Sequence, residues 1–530
     1  MCWRVRKRIP CIGRRAALRH SRIVSVLLLC ALAVATLACS GNGAVSPIAS
    51  AGGEELRGEA LESGVLAFRG VPYAAAPVGR LRWRASAPHD PRPGISEATQ
   101  FGAACPQDQG NPEWYRDVAK QLGSPDAVIP AIDTISEDCL FLNVWTPTLE
   151  PDQPAPVLVW IHGGSNVNGT SFEPNYLGHR LAEKGLVVVT IQYRLGPLGF
   201  MAHPLLSAED SDGISGQYGL FDQLAALRWI KDNIASFGGD PARVTVAGES
   251  AGGGDIASLI DMDQASGLFH QAIIQSGALG PSDRAGMTEA EDVGTRIIEA
   301  TGASTLEEMR ALSWQDLVEA RNQAADGHYF APIADGVHLD GEQFVADKVP
   351  VLIGSNLDEW RMYLPEDVEA RYREALAEYA GTGSRDIESY LATRYSDPAT
   401  RADRLITAAE FLCPSLHIAQ NAKTNGKAAW LYLFTRVRPG ADAIGAYHGA
   451  EIPYMFDTAD AWLSSDETDR RLTEAMTGYW VSFVKSGNPN SDDLSEWPAV
   501  STTEPVALEL GDTIRLADPE QYALCGMLAK

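Results

Sequence analysis

The chain has 530 residues, 45% hydrophobic and 21% charged, with 43 Lys and Arg against 69 Asp and Glu for a formal net charge of −26. This ordinary globular composition excludes disorder, collagen-like repeats and coiled coil, and the length calls for two domains or one enlarged α/β domain. The acidic excess disfavours nucleic acid and anionic membrane surfaces as partners, leaving solubility or steering of cationic substrates as its use.

Residues 1–38 read as an export signal. Eight basic residues (Arg4, Arg6, Lys7, Arg8, Arg14, Arg15, Arg19, Arg22) and no acid occupy the first 22 positions. An uncharged apolar run follows at 23–38, shorter than the roughly 20 residues of a membrane span. Losing the eight basic residues takes the charge from −26 to −34. The run ends Thr36-Leu37-Ala38-Cys39 and resembles a bacterial lipoprotein box, with Thr36 where Leu is commonest. That resemblance implies lipidation at Cys39, tethering to a membrane and a periplasmic or cell-surface location. Ordinary signal cleavage nearby, giving a secreted protein, and an uncleaved anchor are the alternatives. Residues 39–54 then form a Gly- and Ser-rich flexible tether, and 55–530 the folded domain. Of the eight cysteines, Cys2, Cys11 and Cys30 leave with the signal, and Cys105, Cys139, Cys413 and Cys525 remain for two disulfides in an oxidising compartment. Three pairings are open. No CxxC occurs, so a zinc or thioredoxin-type site has little support.

No repeat of 20 to 50 residues interrupts the mature chain, which disfavours a solenoid. Short β-branched runs alternate with helical stretches. The strands are predicted at 157–164, 186–194, 244–248, 271–277, 349–355 and 429–436. Several are apolar at consecutive positions, as in a parallel sheet covered on both faces. Between them 219–238 reads as a helix. Its Leu220, Leu224, Leu227, Ile230 and Ile234 form one stripe, and Asp240-Pro241 ends it. The alternation predicts an open α/β sheet. Residues 278–345 and 360–425 are long insertions that either cap a site or simply pack.

Gly248-Glu249-Ser250-Ala251-Gly252 is a GxSxG motif lying directly between a strand and a helical stretch. This is the setting of a nucleophile elbow, where small neighbours let a serine stand clear at a helix N-terminus. A serine hydroxyl needs a base and an acid to orient that base, and on such a sheet the acid and histidine follow in chain order. Asp358 and Glu359, just past the strand at 349–355, both qualify as the acid. Only His417 and His448 come later. His417 falls in a helical stretch and reads as packing or surface, whereas His448 sits in a Gly-flanked loop and is taken as the base. The oxyanion donors are the amide of Ala251 and the loop His162-Gly163-Gly164-Ser165. Activity is expected to fall on the acid side as His448 protonates, near pH 6.5 before any local shift. This chemistry requires no metal or organic cofactor.

With these residues in place, the sequence resembles the type-B carboxylesterase/lipase family, which includes the cholinesterases. The matching segments are FRGVPYAAAPVGRLRW (68–83), SEDCLFLNVWTP (136–147), the long stretch 216–253 around the elbow, and GYWVSFVKSGNPN (478–490). The resemblance runs from about Leu66 to Cys525. It implies an α/β-hydrolase fold and a serine esterase acting through an acyl-enzyme on a small-molecule ester, which the signal at 1–38 makes an exported one. It places the catalytic acid on Glu359, the base on His448 and the oxyanion donors on Gly164, Ser165 and Ala251. It further implies an acid-supporting Ser276 and disulfides Cys105–Cys139 and Cys413–Cys525. A lipase acting on aggregated lipid and a noncatalytic adhesion module are the other readings the family offers. The sequence also departs from the family. Ser165 and Asn166 stand where a third Gly and an aromatic are usual, making that wall more polar, and Asp255 brings an extra acid toward the base of the pocket. Trp114 and Tyr115 do not align with the choline-binding tryptophan, so cholinesterase activity is not implied. The sequon at Asn168-Gly169-Thr170 reads as coincidence beside a bacterial-type signal. Oligomeric state is left open.

Overall fold

The computed structural model describes residues 46–278, 284–325, 327–341, 348–502 and 504–528. The signal segment and the lipidation candidate Cys39 lie outside these residues. Strand β1 (Ile48–Ala51) pairs antiparallel with β2 (Glu54–Arg57). β3 (Glu59–Ala60) and β4 (Leu66–Pro72) open the main sheet, and β5 (Ile95–Glu97) returns to lie parallel beside β2. The main sheet continues through β6 (Phe141–Thr146), β7 (Ala155–Ile161), β8 (Val187–Ile191), β9 (Gly239–Glu249), β10 (Gln271–Gln275), β11 (Val351–Asn356), β12 (Ala429–Phe434), β13 (Ala507–Leu510) and β14 (Ile514–Leu516). Its spatial order is β14-β13-β12-β11-β10-β9-β7-β8-β6-β4-β3.

All six predicted strands are present, adjacent and parallel, in the run β8-β7-β9-β10-β11-β12. Their consecutive apolar residues have a physical cause. Along β7, Val157, Val159 and Ile161 pack into one apolar layer while Leu158 and Trp160 pack into another, so both faces are covered. The first layer holds the helices Tyr218–Asn233 and Ala251–Asp261, and the second holds Glu467–Ser486.

Two sequence expectations need correction. The flexible tether does not reach residue 54. Ile48–Ala51 is a strand, Gly52 and Gly53 both adopt positive φ in the two-residue turn to β2, and the Gly52 amide donates to Asn233 Oδ1 at 2.7 Å. Nor does Asp240-Pro241 end the helix after 219. The helix gives way to a 3-10 turn at Ile234–Phe237, Gly238 closes it at φ 76°, and Asp240 and Pro241 already belong to β9.

Both insertions are helical. The first carries Met287–Thr301, Leu306–Ala311 and Trp314–Ala324. The second carries Val368–Tyr379, Ser384–Arg394, Pro398–Thr407, a π-helical turn Ala408–Leu412, and Cys413–Thr424. The cysteines pair Cys105–Cys139 and Cys413–Cys525.

Candidate active site

Ser250 sits between β9 and the helix Ala251–Asp261 with φ 55° and ψ −127°. A non-glycine residue in this region stores about 1–3 kcal/mol of strain and persists only where its surroundings hold it. Its neighbours explain how it is held. A Cβ on Gly252 would lie 2.2 Å from Ile161 O, and one on Gly248 would lie 2.8 Å from the backbone of Gly252. The glycines of the motif are therefore what let the turn close against β7. The Ser250 amide donates to Gln275 O at 2.9 Å, tying the turn to β10.

Three residues converge beyond the carboxyl ends of the parallel strands β9, β11 and β12. Ser250 Oγ lies 2.8 Å from His448 Nε2, and His448 Nδ1 lies 2.7 Å from Glu359 Oε2. Glu359 follows β11 and is fully buried, and its Oε1 accepts the Asn356 amide at 2.6 Å. His448 is in the loop after β12. Asp358, the other candidate acid, faces away from the imidazole and accepts the Ala446 amide. His417 is exposed on the helix Cys413–Thr424.

The loop after β7 runs against this turn. A Cβ on Gly163 would lie 2.9 Å from Ser250 Cβ, and Gly164 (φ 98°), Ser165 (φ 56°) and Asn166 (φ 56°) follow in left-handed conformations. The amides of Gly164, Ser165 and Ala251 find no acceptor among the described residues. His162 anchors the loop: it stacks on Tyr193 with centroids 4.6 Å apart, and its carbonyl accepts the Tyr193 hydroxyl. Burial lowers the His162 imidazole to a pKa of about 4.

Three further expectations are corrected. Ser276 Oγ is buried without a hydrogen-bond partner, so it does not hold Glu359 here; the Asn356 amide does that instead. Asn166 does not make the cavity wall polar, because its side chain turns inward to bond Asp255 Oδ1 at 3.1 Å and to accept Tyr193 OH at 3.1 Å. Asp255 is likewise buried behind the loop rather than at the pocket base, with its pKa raised to about 7 by burial. The sequon lies inside the fold: Asn168 lines the cavity and Thr170 is buried.

Several residues escaped the sequence reading. Glu249, the first variable position of GxSxG, places Oε1 3.4 Å from His448 Nε2. Glu451, three residues past His448, accepts Asn356 Nδ2 at 2.6 Å and Gln275 Nε2 at 2.9 Å. Both are buried. Burial pushes the His448 pKa down, but the carboxylates Glu249, Glu359 and Glu451 outweigh it and carry it up to about 9. Burial raises Glu249 to about 8. The acid limb of activity is thus expected above the ordinary imidazole value rather than at it. The strand-and-motif signal that found Ser250 also marked Glu249; only its contact with the base was invisible.

A cavity of about 1090 Å³ opens over Ser250 and His448. The helix Gly110–Gln121, inside the Cys105–Cys139 loop, contributes Trp114 and Tyr115, and the insertions contribute Tyr329, Trp360, Tyr363 and Phe411. Trp114 Nε1 donates to Tyr363 OH at 2.9 Å, so the disulfide loop and the second insertion meet over the imidazole. Both insertions therefore wall the site.

A mixed, mostly parallel sheet with a serine on its nucleophile turn and a histidine and an acid on the same rim is the α/β-hydrolase arrangement. A sequence model of the carboxylesterase family matches residues 47–523, and the chain belongs to that family: it is a carboxylic ester hydrolase. It is 36% identical over 463 residues to a fumonisin B1 esterase of Sphingopyxis macrogoltabida, covering 83% of this chain and 82% of that one. It is 32% identical over 484 residues to a para-nitrobenzyl esterase of Bacillus subtilis (strain 168), covering 87% and 94%. A solved PNB esterase superposes with a TM-score of 0.77 at 30% identity, covering 91% of this chain and 100% of that chain.

Proposed function

We propose that the protein is an exported serine esterase for small-molecule esters, working through a Ser250–His448–Glu359 triad and an acyl-enzyme. The carrying observation is the unbroken hydrogen-bond chain from Ser250 Oγ to His448 to Glu359 at the floor of a large cavity. Ser250 Oγ attacks the ester carbonyl and its proton passes to His448 Nε2. The carbonyl electrons collect on an oxyanion served by the amides of Gly164, Ser165 and Ala251. His448 returns the proton to the alkoxy oxygen, the alcohol leaves, and the acyl group stays on Ser250. Water then repeats the cycle and frees the acid. Glu359 orients the imidazole and stabilises its cationic form.

The cavity of about 1090 Å³ and the relatives named as a fumonisin B1 esterase and a para-nitrobenzyl esterase support discrete small-molecule esters over aggregated lipid. Substitution Ser250→Ala is expected to lower p-nitrophenyl ester turnover by about 10⁴-fold or more. Retention of turnover in the pure variant would refute the triad. Export and lipidation rest on the basic-then-apolar segment ahead of Cys39. Labelled palmitate is expected in the wild-type protein and absent from Cys39→Ser.

A further inference from the structure

Asp358 is one residue from the proposed catalytic acid yet points elsewhere. Its Oδ2 accepts the Ala446 amide at 2.8 Å, and its own amide donates to Ala446 O at 3.1 Å. Asn356 Nδ2 donates to Tyr447 O at 2.7 Å. Three of the four residues from 356 to 359 thus grip three consecutive residues of the loop that ends in His448. The fit is tight: Gly445 has φ 65°, and a Cβ there would lie 2.3 Å from Asp358 Oδ2.

The other oxygen of Asp358 is held from the second insertion. Arg404, on the helix Pro398–Thr407, brings Nη1 to 2.9 Å from Asp358 Oδ1, 2.7 Å from Asp403 Oδ2, and onto Leu357 O. Asp403 is fully buried; its Oδ1 accepts the Trp360 amide at 3.0 Å and the Thr407 hydroxyl at 3.2 Å. One guanidinium therefore fixes the segment that carries Glu359, while its neighbouring carboxylate fixes the backbone of a cavity aromatic. A buried ion pair adds little net stability compared with apolar packing of the same volume. What this one supplies is position.

We infer that Asp358 and Arg404 form a brace that sets the His448 imidazole between Glu359 and Ser250, making both positioning residues for ester hydrolysis. The inference rests on the triad proposed above. It gives the second insertion a role beyond walling the cavity, since Pro398–Thr407 reaches the catalytic rim through Arg404.

The test uses the full chain and p-nitrophenyl acetate, with Arg404→Met, Arg404→Lys, Asp358→Asn and Ser250→Ala. A small displacement of a catalytic group lowers turnover by about 10²-fold, and Arg404→Met is expected to lower kcat on that order with KM within about threefold of wild type. Its kcat/KM profile should have an acid limb at lower pH, because a loosened His448–Glu359 contact removes part of what raises the imidazole. Glu249, Glu451 and Tyr363 also face His448 and are unchanged in these variants. Arg404→Lys should recover most of the lost kcat. Asp358→Asn keeps an acceptor for the Ala446 amide but loses the ionic partner, and should fall between wild type and Arg404→Met. It decides the matter alone if Arg404→Met does not fold. The brace is overturned if Arg404→Met and Asp358→Asn both keep kcat within twofold, or if kcat falls with no movement of the acid limb and no recovery in Arg404→Lys. An inactive Ser250→Ala beside fully active brace variants overturns the brace alone; an active Ser250→Ala overturns the triad and the brace with it.

Discussion

Glu249 sets the charge around the base. It lies 3.4 Å from His448 Nε2 on the side of Ser250, while Glu359 holds Nδ1, so the imidazole sits between two carboxylates. Once Glu249 ionises, above its own value of about 8, two negative neighbours favour the protonated ring, whereas the base must be neutral to take the Ser250 proton. Activity should therefore rise with pH through a limb displaced above 6.5, in line with the His448 value of about 9. Replacing Glu249 by Gln removes the charge with little change in volume. The acid limb of kcat/KM is expected to move down by about one pH unit or more. A limb left in place would show that Glu249 does not act on the imidazole. At this scale the sequence was informative where chemistry forces a motif. Ser250 and His448 could be named because a cramped turn and a Gly-flanked histidine are dictated locally; an acid after a strand narrowed the third member only to Asp358 or Glu359, and the family resemblance chose between them. The silent oxygen of Ser276 and the inward turn of Asn166 depend on which backbone amide or buried carboxyl arrives from another part of the chain, and no local pattern encodes that.

At the level of elements, the six central parallel strands were legible because burial on both faces leaves an unbroken apolar run, whereas β13, four residues long and parallel to β12, was not. The outer strands were not. β3 has two residues, β1 and β2 four each, and their burial alternates or is absent, which is too short a signal to separate from loop. Hence Ile48–Ala51 passed as tether. The helix Gly110–Gln121 was also hidden in a loop defined only by its cysteines, although it contributes Trp114 and Tyr115 to the cavity. The Cys105–Cys139 bridge spans a sequence separation of 34, for which chain entropy gives about 4 kcal/mol of stabilisation. The double substitution Cys105→Ser with Cys139→Ser should lower Tm, and because that loop carries part of the cavity wall it should also raise KM for a bulky ester more than for p-nitrophenyl acetate. Equal KM values for both esters, before and after substitution, would show that the helix keeps its place without the bridge.

Across the whole molecule, the cavity is assembled from segments hundreds of residues apart, and their charges do not balance. Glu173, Glu249, Glu378 and Glu410 line it against Arg371 and His448, and Arg371 already faces Glu378 at 3.4 Å. This sits inside a chain of formal charge −26. A cleft with low-dielectric walls focuses such a field outward, so a cationic ester should be drawn in faster than a neutral one of the same shape. Not all the acids contribute equally: burial raises the pKa of Glu173, Glu249 and Glu410, which shortens the time each spends ionised near neutral pH. The long-range part of the field comes instead from exposed carboxylates, and salt screens those beyond about 8–10 Å at physiological strength. Raising the ionic strength should therefore lower kcat/KM for a quaternary-ammonium ester while leaving its uncharged carbon isostere unchanged. If the two esters respond alike, the acidic surface serves solubility and has no part in substrate capture.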